Sequence, residues 1–223
     1  MIYNKLASYY DLFVDEQLND VYLNLIKKYF TSGRVADLGC GTGQLAINLA
    51  KEGYYVTASD LSEKMLEVAY NNSLLSNVKI NFFVHDILEP LNLDSEIIVM
   101  ASDVINYLDN EAAVIKAFKY VKEIMYDNSI YLFDFLKTSY VMSLIGYHEE
   151  VELADAKLTW KVLATKEKYK IKHYVTINDS TEIHFQRTYA EKVYNEMCNK
   201  AMLKVIEKIE LEDRIIFICK KTT

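Results

Sequence analysis

The chain predicts a doubly wound α/β fold, a mostly parallel sheet with helices on both faces, carrying a small antiparallel β insertion late in the sequence. Three observations carry that expectation. Short apolar runs alternate with helical patterns from residue 16 to residue 134, the rhythm of a parallel sheet whose crossovers are helices. Acidic residues stand at or just past the ends of three successive runs, at Asp37, Asp60 and Asp86. From about His148 the pattern changes to a period of two, which suits a sheet with one wet face.

Residues 1–15 are aromatic and polar by turns, with Tyr3, Tyr9, Tyr10, Asp11 and Phe13; they read as a lid or as a strap across the core. Over residues 16–30, Leu18, Val21, Tyr22, Leu25, Ile26 and Tyr29 recur at spacings of three and four, an amphipathic helix. A first strand follows at Val35-Ala36-Asp37-Leu38 and runs straight into Gly39-Cys40-Gly41-Thr42-Gly43, after which Leu45, Ala46, Ile47 and Leu49 open a helix. A second strand spans 55–59 with Asp60 at its end. Ser62 is placed to cap the next helix, with Glu63 in its first turn and Met65, Leu66, Val68 and Ala69 as its apolar residues. A third strand covers 78–84 and leads into His85-Asp86-Ile87. Pro90 breaks the chain before a fourth strand at 97–100. Val114, Phe118, Val121 and Met125 mark a helix, and a fifth strand at 130–133 ends at Asp134.

In the insertion, residues 158–163, 171–177 and 183–185 alternate around Asn178-Asp179, a meander that puts His173 and His184 on the solvent side. Val193, Met197 and Ala201 restore a helical spacing, and residues 203–209 and 214–219 supply two closing strands. The expected organisation is a cofactor-binding unit of residues 1–147 and 190–223, with residues 148–189 as a cap over a substrate pocket.

Composition narrows the function. A net charge of −7 speaks against a nucleic-acid surface, because phosphate binding is driven by clustered Lys and Arg. The three cysteines, Cys40, Cys198 and Cys219, have neither the spacing of a disulfide framework nor that of a zinc site. No metal is expected. Met1-Ile2-Tyr3-Asn4-Lys5 has no basic segment leading into an apolar core, and no apolar run approaches the ~18 residues of a membrane span. The expectation is a soluble, cytoplasmic protein, monomer or homodimer, acting on a small molecule without nucleic-acid or membrane partners.

The chemistry gathers where the strands end. In a doubly wound sheet the carboxyl ends of the strands open on one crevice, and ligands bind there. Glycines at alternate positions let the backbone take positive φ and let a ligand lie directly against it. The two oxygens of a carboxylate after the second strand match the paired hydroxyls of a ribose. Asp86 is placed to accept from an adenine amino group. A dinucleotide calls for G-x-G-x-x-G; here the run is Gly39-x-Gly41-x-Gly43 with no phosphate-binding lysine. An uncharged adenosine with an amino-acid tail, as in S-adenosylmethionine, suits that turn better.

Residues 35–43, an apolar run with an acid and then G-x-G-x-G, resemble the first motif of class I S-adenosylmethionine-dependent methyltransferases. The resemblance extends to Asp60-Leu61-Ser62-x-x-Met65-Leu66, to His85-Asp86-Ile87 and to Tyr10-Asp11. It implies that Gly39 and Gly41 approach the methionine portion of S-adenosylmethionine, with Asp37 in the same motif. It further implies that Asp60 holds the ribose, Leu61 and Met65 flank the adenosine, Asp86 and Ile87 meet the adenine, Ala101 lies nearby, and Tyr10 reaches in from the N-terminal segment. The insertion after the fifth strand is similar to the small-molecule branch that includes bacterial amino-sugar N-methyltransferases. After the fourth strand the chain reads Ala101-Ser102-Asp103-Val104-Ile105-Asn106-Tyr107, without the Asn/Asp-Pro-Pro-aromatic motif of enzymes that methylate nucleobase amines or glutamine amides.

Methyl transfer is an in-line displacement that needs orientation and no covalent enzyme nucleophile. An acceptor must lose a proton, for which Asp103, Asn106, Tyr107, Asp134 and His148 are candidates, the last four also as substrate contacts. The catalytic group is left open. Asp60→Ala is expected to weaken cofactor binding with the fold intact. Two alternatives stand beside this reading: an NAD-dependent oxidoreductase, and a protein that binds S-adenosylmethionine without turning over an acceptor.

Overall fold

Leu18, Tyr22 and Ile26, one face of helix α1 (Glu16–Tyr29), are all buried against the sheet. The computed structural model describes residues 6–12 and 16–222. Tyr3, Phe13 and the stretch 1–5 read above lie outside them. The chain continues through β1 (Arg34–Leu38), α2 (Gln44–Lys51), β2 (Tyr55–Asp60), α3 (Glu63–Leu75), β3 (Asn81–Val84), β4 (Ser95–Met100), α4 (Glu111–Glu123) and β5 (Met125–Leu136). A short helix α5 (Thr138–Ser143) leads to β6 (His148–Glu152), β7 (Lys157–Ala164), β8 (Lys170–Ile177) and β9 (Ser180–Arg187). Helix α6 (Glu191–Lys200), β10 (Leu203–Glu210) and β11 (Arg214–Lys221) close the chain.

Among the described residues one sheet has seven strands in the order β10-β11-β5-β4-β1-β2-β3. It is parallel from β5 to β3, while β11 runs antiparallel to β5 and to β10. From β1 the chain winds outward through β2 and β3, then returns to lay β4 on the other side of β1. That reversal opens a crevice at the carboxyl ends of β1 and β4. Both faces of the sheet are covered. On β5, Tyr131, Phe133 and Phe135 pack with Phe118, Tyr194 and Phe217 on one side, while Ile130 and Leu132 pack with the α1 and α2 residues on the other. A strand buried on both faces reads as a continuous apolar run, as this one does.

Several boundaries differ from the sequence reading. The third strand begins at Asn81, and Met125 belongs to β5 because α4 stops at Glu123. The stretch Tyr126-Asp127-Asn128-Ser129 is part of β5, which pairs with β4 through a register slip between Ser95 and Ile97. Ser129 Oγ stabilises the slip by donating to the Ser95 carbonyl (2.6 Å) and accepting from the Tyr126 amide (2.8 Å). Strand β5 therefore runs on to Leu136, and Asp134 lies inside it, fully buried.

The insertion is an antiparallel sheet in the order β6-β7-β8-β9, one strand more than the alternation alone showed. His173 and His184 are not on its solvent side. On β8 the buried residues are Ile171, His173, Val175 and Ile177, and His184 stands opposite His173 across the β8–β9 pairing, also buried. Side chains two apart share a face, so the histidines go with the apolar residues, whose face turns inward.

Residues 6–12 bridge the two sheets. Leu6 packs with Ala156, Leu158, Val175 and Ile177 of the insertion. Asp11 accepts hydrogen bonds from the Thr42 hydroxyl, from Gln44 Nε2 (3.1 Å) and from Asn72 Nδ2 (3.3 Å). No helix among the described residues is long and apolar enough to cross a membrane.

Candidate active site

The turn after β1 is shaped by what its glycines exclude. Gly39 has φ +81° and a Cβ there would come within 2.6 Å of Val104 Cγ2, so a side chain fits neither the backbone nor the space. Gly41 has φ +55°, and the nearest atom to its absent Cβ is Tyr10 Cε1 at 3.8 Å, so its open side faces a hollow. The turn is pinned to β2: the Gly39 and Cys40 amides both donate to the Ser59 carbonyl (2.7 and 2.8 Å).

Asp60, at the end of β2, accepts from the Gly41 amide through Oδ2 (2.9 Å) and from the Ser62 amide through Oδ1 (2.8 Å). Each oxygen keeps lone-pair capacity for a further donor. Ser62 caps α3 by accepting from the Met65 amide, which fixes Met65 at the wall of the hollow, while Leu61 stands exposed at its rim. Asp86 folds its own loop back by accepting from the Leu88 amide (2.9 Å). Asp37 is 2 % exposed, and its Oδ2 has no hydrogen-bond partner among the described residues. Burial, with Asp60 adding to it, pushes this carboxyl up to about 7. Burial likewise pushes the Cys40 thiol up, which leaves it a small, unreactive filler of the turn.

These residues enclose one cavity of about 510 Å3. Tyr10, Asp37, Gly39, Gly41 and Asp60 line it, as do Leu61, Met65, Asp86, Ile87 and Ala101. Of the four expected substrate contacts only Tyr107 reaches it. Asn106 is buried away from it, donating to the Arg187 carbonyl (2.7 Å) and the Tyr194 hydroxyl (3.2 Å) and accepting from the Leu136 amide (3.0 Å). Asp134 accepts from the Tyr22 hydroxyl (2.7 Å), the Asp103 amide (3.0 Å) and Arg214 Nη1 (2.7 Å), none of its surface being exposed. His148 is on the exposed first strand of the insertion beside Glu150.

The end of the cavity beyond the glycine turn is built by residues from distant parts of the chain. Asp103 and Arg214 line it. Arg214 Nη1 reaches both Asp103 Oδ1 (3.3 Å) and Asp134 Oδ2 (2.7 Å), and its Nε donates to Asp213 (2.8 Å). Burial disfavours the charge on Arg214, but Asp134, Asp103 and Asp213 outweigh it and push its pKa up. Burial drives Asp103 up to about 7 although Arg214 pulls the other way. Gln186, from β9, donates to Asp103 Oδ2. In sequence, Arg214 marked only the start of a closing strand and Gln186 lay just past an expected one; no local signal linked either to a residue some hundred positions away.

The crevice suits an adenosyl ligand with a cationic tail. Gly41 presents bare backbone to the hollow, and an unpartnered carboxylate oxygen at Asp37 lies where a protonated amine would satisfy it.

Residues 35–124 match the family described as "Methyltransferase domain". YqeM of Bacillus subtilis (strain 168), named as a methyltransferase, is 31% identical over 211 residues, covering 88% of this chain and 84% of its own. A Geobacillus sp. (strain WCH70) protein, also named as a methyltransferase, is 29% identical over 248 residues, covering 99% of this chain and 100% of its own. In three dimensions an S-adenosylmethionine-dependent methyltransferase from Clostridium acetobutylicum ATCC 824 superposes with a TM-score of 0.84, covering 99% of each chain at 22% identity. The sugar N-methyltransferase KedS8 from Streptoalloteichus sp ATCC 53650 gives 0.78 at 14% identity, covering 96% of this chain and 93% of its own. At such identities the two structures establish the fold. The relative matched over most of both chains establishes more, and the glycine turn, whose backbone at Gly41 faces the cavity, agrees with it: the chain belongs to the class I, S-adenosylmethionine-dependent methyltransferase family.

Proposed function

We propose that the protein transfers a methyl group to a nitrogen or oxygen of a small molecule, with nitrogen favoured. The observation that carries this reading is the continuity of the cavity, which runs from the glycine turn to Asp103, Tyr107 and Arg214. One end suits the cofactor and the other an acceptor, so both fit side by side. When bound, S-adenosylmethionine supplies an electrophilic methyl carbon on a positively charged sulfur. Asp60 holds its ribose, the backbone at Gly39 and Gly41 lies along its amino-acid portion, and Asp37 receives the ammonium. Leu61, Met65, Asp86 and Ile87 enclose the adenine, with Ala101 near the junction and Tyr10 closing the turn from above.

At the acceptor end the carboxylates of Asp103, Asp134 and Asp213 surround the single guanidinium of Arg214. That acidic balance favours an amine over an anionic acceptor, which supports nitrogen. The insertion, residues 148–189, acts as the substrate cap: its inner face delivers Gln186 to Asp103 and sets His184 edge-on to Tyr107, ring centroids 6.5 Å apart.

Titration calorimetry with S-adenosylhomocysteine tests the cofactor half, and product detection across a panel of small amines and phenols tests the acceptor half. Binding of NADH in place of S-adenosylhomocysteine would overturn the reading. Cofactor binding with no turnover of any class of acceptor would return the protein to a non-catalytic role.

A further inference from the structure

The approach to Asp103 is backbone that L residues seldom adopt. Ser102 has φ +60° and Asp103 φ +56°, two successive side chains in the left-handed region, and such strain persists only where the surroundings hold it. Here they do. Buried Asp134 accepts from the Asp103 amide and is itself fixed by Tyr22 from α1 and Arg214 from β11. The effect is to turn the Asp103 side chain toward the cavity, where it remains 17 % exposed while Asp134 is sealed.

Both Asp103 oxygens are then held from opposite sides, Oδ1 by Arg214 and Oδ2 by Gln186. The second contact has a fixed direction. Trp160 Nε1 can only donate, and it lies 3.0 Å from His173 Nδ1. Its hydrogen bond places the proton of the neutral imidazole on Nε2, 3.0 Å from Gln186 Oε1. Gln186 therefore accepts there and presents its NH2 group to Asp103. Burial pulls His173 down to about 4, so the ring stays neutral at ordinary pH and the direction of the chain does not reverse. Trp160 on β7, His173 on β8 and Gln186 on β9 thus form one line across the insertion that ends on a single carboxylate oxygen.

We propose that Asp103 takes the proton of the methyl acceptor and that Gln186, oriented by His173 and Trp160, is the positioning residue that holds it. The inference rests on the methyl-transfer reading of the same cavity. As the acceptor's nitrogen or oxygen gains its bond to the methyl carbon, the carbon–sulfur bond breaks and its electron pair stays on sulfur. The acceptor's bond to hydrogen breaks with its pair kept by the acceptor, and Asp103 receives the proton, later yielding it to solvent. Charged and titratable groups face Asp103 from every side: Arg214 and Asp213 at β11, Asp134 on β5, Tyr140 on α5, Tyr10 from the N-terminal segment, and His173 through Gln186. With Asp103 pushed up to about 7, its proton affinity suits exchange with an acceptor near neutral pH.

The test is a carbon-detected NMR titration of the full chain labelled at the aspartate carboxyls. Two groups should titrate near neutrality, one lost in Asp37→Asn and the other in Asp103→Asn. Gln186→Leu and Trp160→Phe should move the Asp103 titration upward and leave that of Asp37 in place, which a merely structural role for the line would not do. Asp103→Asn should bind S-adenosylhomocysteine within about twofold of wild type, and with any panel acceptor that turns over it should lose at least about 100-fold in kcat with little change in KM. A titration of Asp103 that stays below pH 5, or that Gln186→Leu leaves unmoved, overturns the inference. Failure of the wild-type protein to bind S-adenosylhomocysteine overturns the methyl-transfer reading instead.

Discussion

Asp37 in β1 and Asp60 at the end of β2 stand on either side of the glycine turn, and burial raises both carboxyls, with the Ser62 and Gly41 amides pulling Asp60 the other way. Asp37 is raised from 3.8 to about 7 by burial and by Asp60, so the folded chain holds that proton more tightly than the unfolded one. The stability it contributes is complete below about pH 4 and is lost as pH rises through about 7. Asp37→Asn should therefore raise the unfolding free energy at pH 8 by on the order of 1–3 kcal/mol, a gain that fades towards pH 4, as urea melts at the two pH values will show. The same variant should bind S-adenosylhomocysteine more weakly, because the oxygen kept without a partner is the one a ligand ammonium would use. Asp60 already accepts from the Gly41 and Ser62 amides, which modifies the expectation that its removal leaves the fold untouched. Asp60→Ala should cost about 1.5–3 kcal/mol in S-adenosylhomocysteine affinity by calorimetry, and a further 1–3 kcal/mol or so in stability from the two orphaned amides.

At the scale of elements, the joint between the main sheet and the insertion depends on Asn106, which follows Asp103 in a single short turn. One side chain ties the end of β5 through Leu136, the end of β9 through Arg187 and helix α6 through Tyr194. Leu136 also offers its carbonyl to the Thr188 hydroxyl, so the joint is polar yet buried. Asn106→Ala leaves a buried amide and a buried carbonyl without partners and should destabilise the protein by about 2–4 kcal/mol in denaturant unfolding. Its affinity for S-adenosylhomocysteine should stay within about twofold of wild type, since Asn106 lies outside the cavity; a large loss would move it into the site. Strand β5 shows the same division of labour. Its apolar alternation was plain in sequence, but the slip at Ser129 and the extension to Leu136 depend on β4 and β11, so Asp134 became a buried support for its neighbours and not a strand-end ligand.

For the whole molecule, the cavity draws on residues from position 10 to position 214, so a ligand that fills it should stabilise the fold as a unit. S-adenosylhomocysteine at roughly 100 times its Kd should add about 2.7 kcal/mol and raise Tm by about 5–10 °C. Calorimetric scans that show no shift at that concentration would remove the ligand from the crevice. Hydrogen exchange should slow most at the glycine turn and in residues 6–12, which Asp11 and Tyr10 join to it. By itself the sequence determined the alternation of strands and helices, the glycine turn and the three acids at strand ends, because each depends on the periodicity or backbone freedom of a few consecutive residues. It also held the inward parity of His173, two positions from the buried Ile171 and Val175, whereas His184 lies between the exposed Ile183 and Phe185 and turns inward through its pairing opposite His173. The tertiary structure alone decided the end of the cavity beyond the glycine turn, where Asp103, Asp134, Gln186 and Arg214 meet across four separate segments. Their contacts are set by how the closing strand and the inserted sheet fold back over the crevice, and contacts of such range leave no pattern in any local stretch of chain.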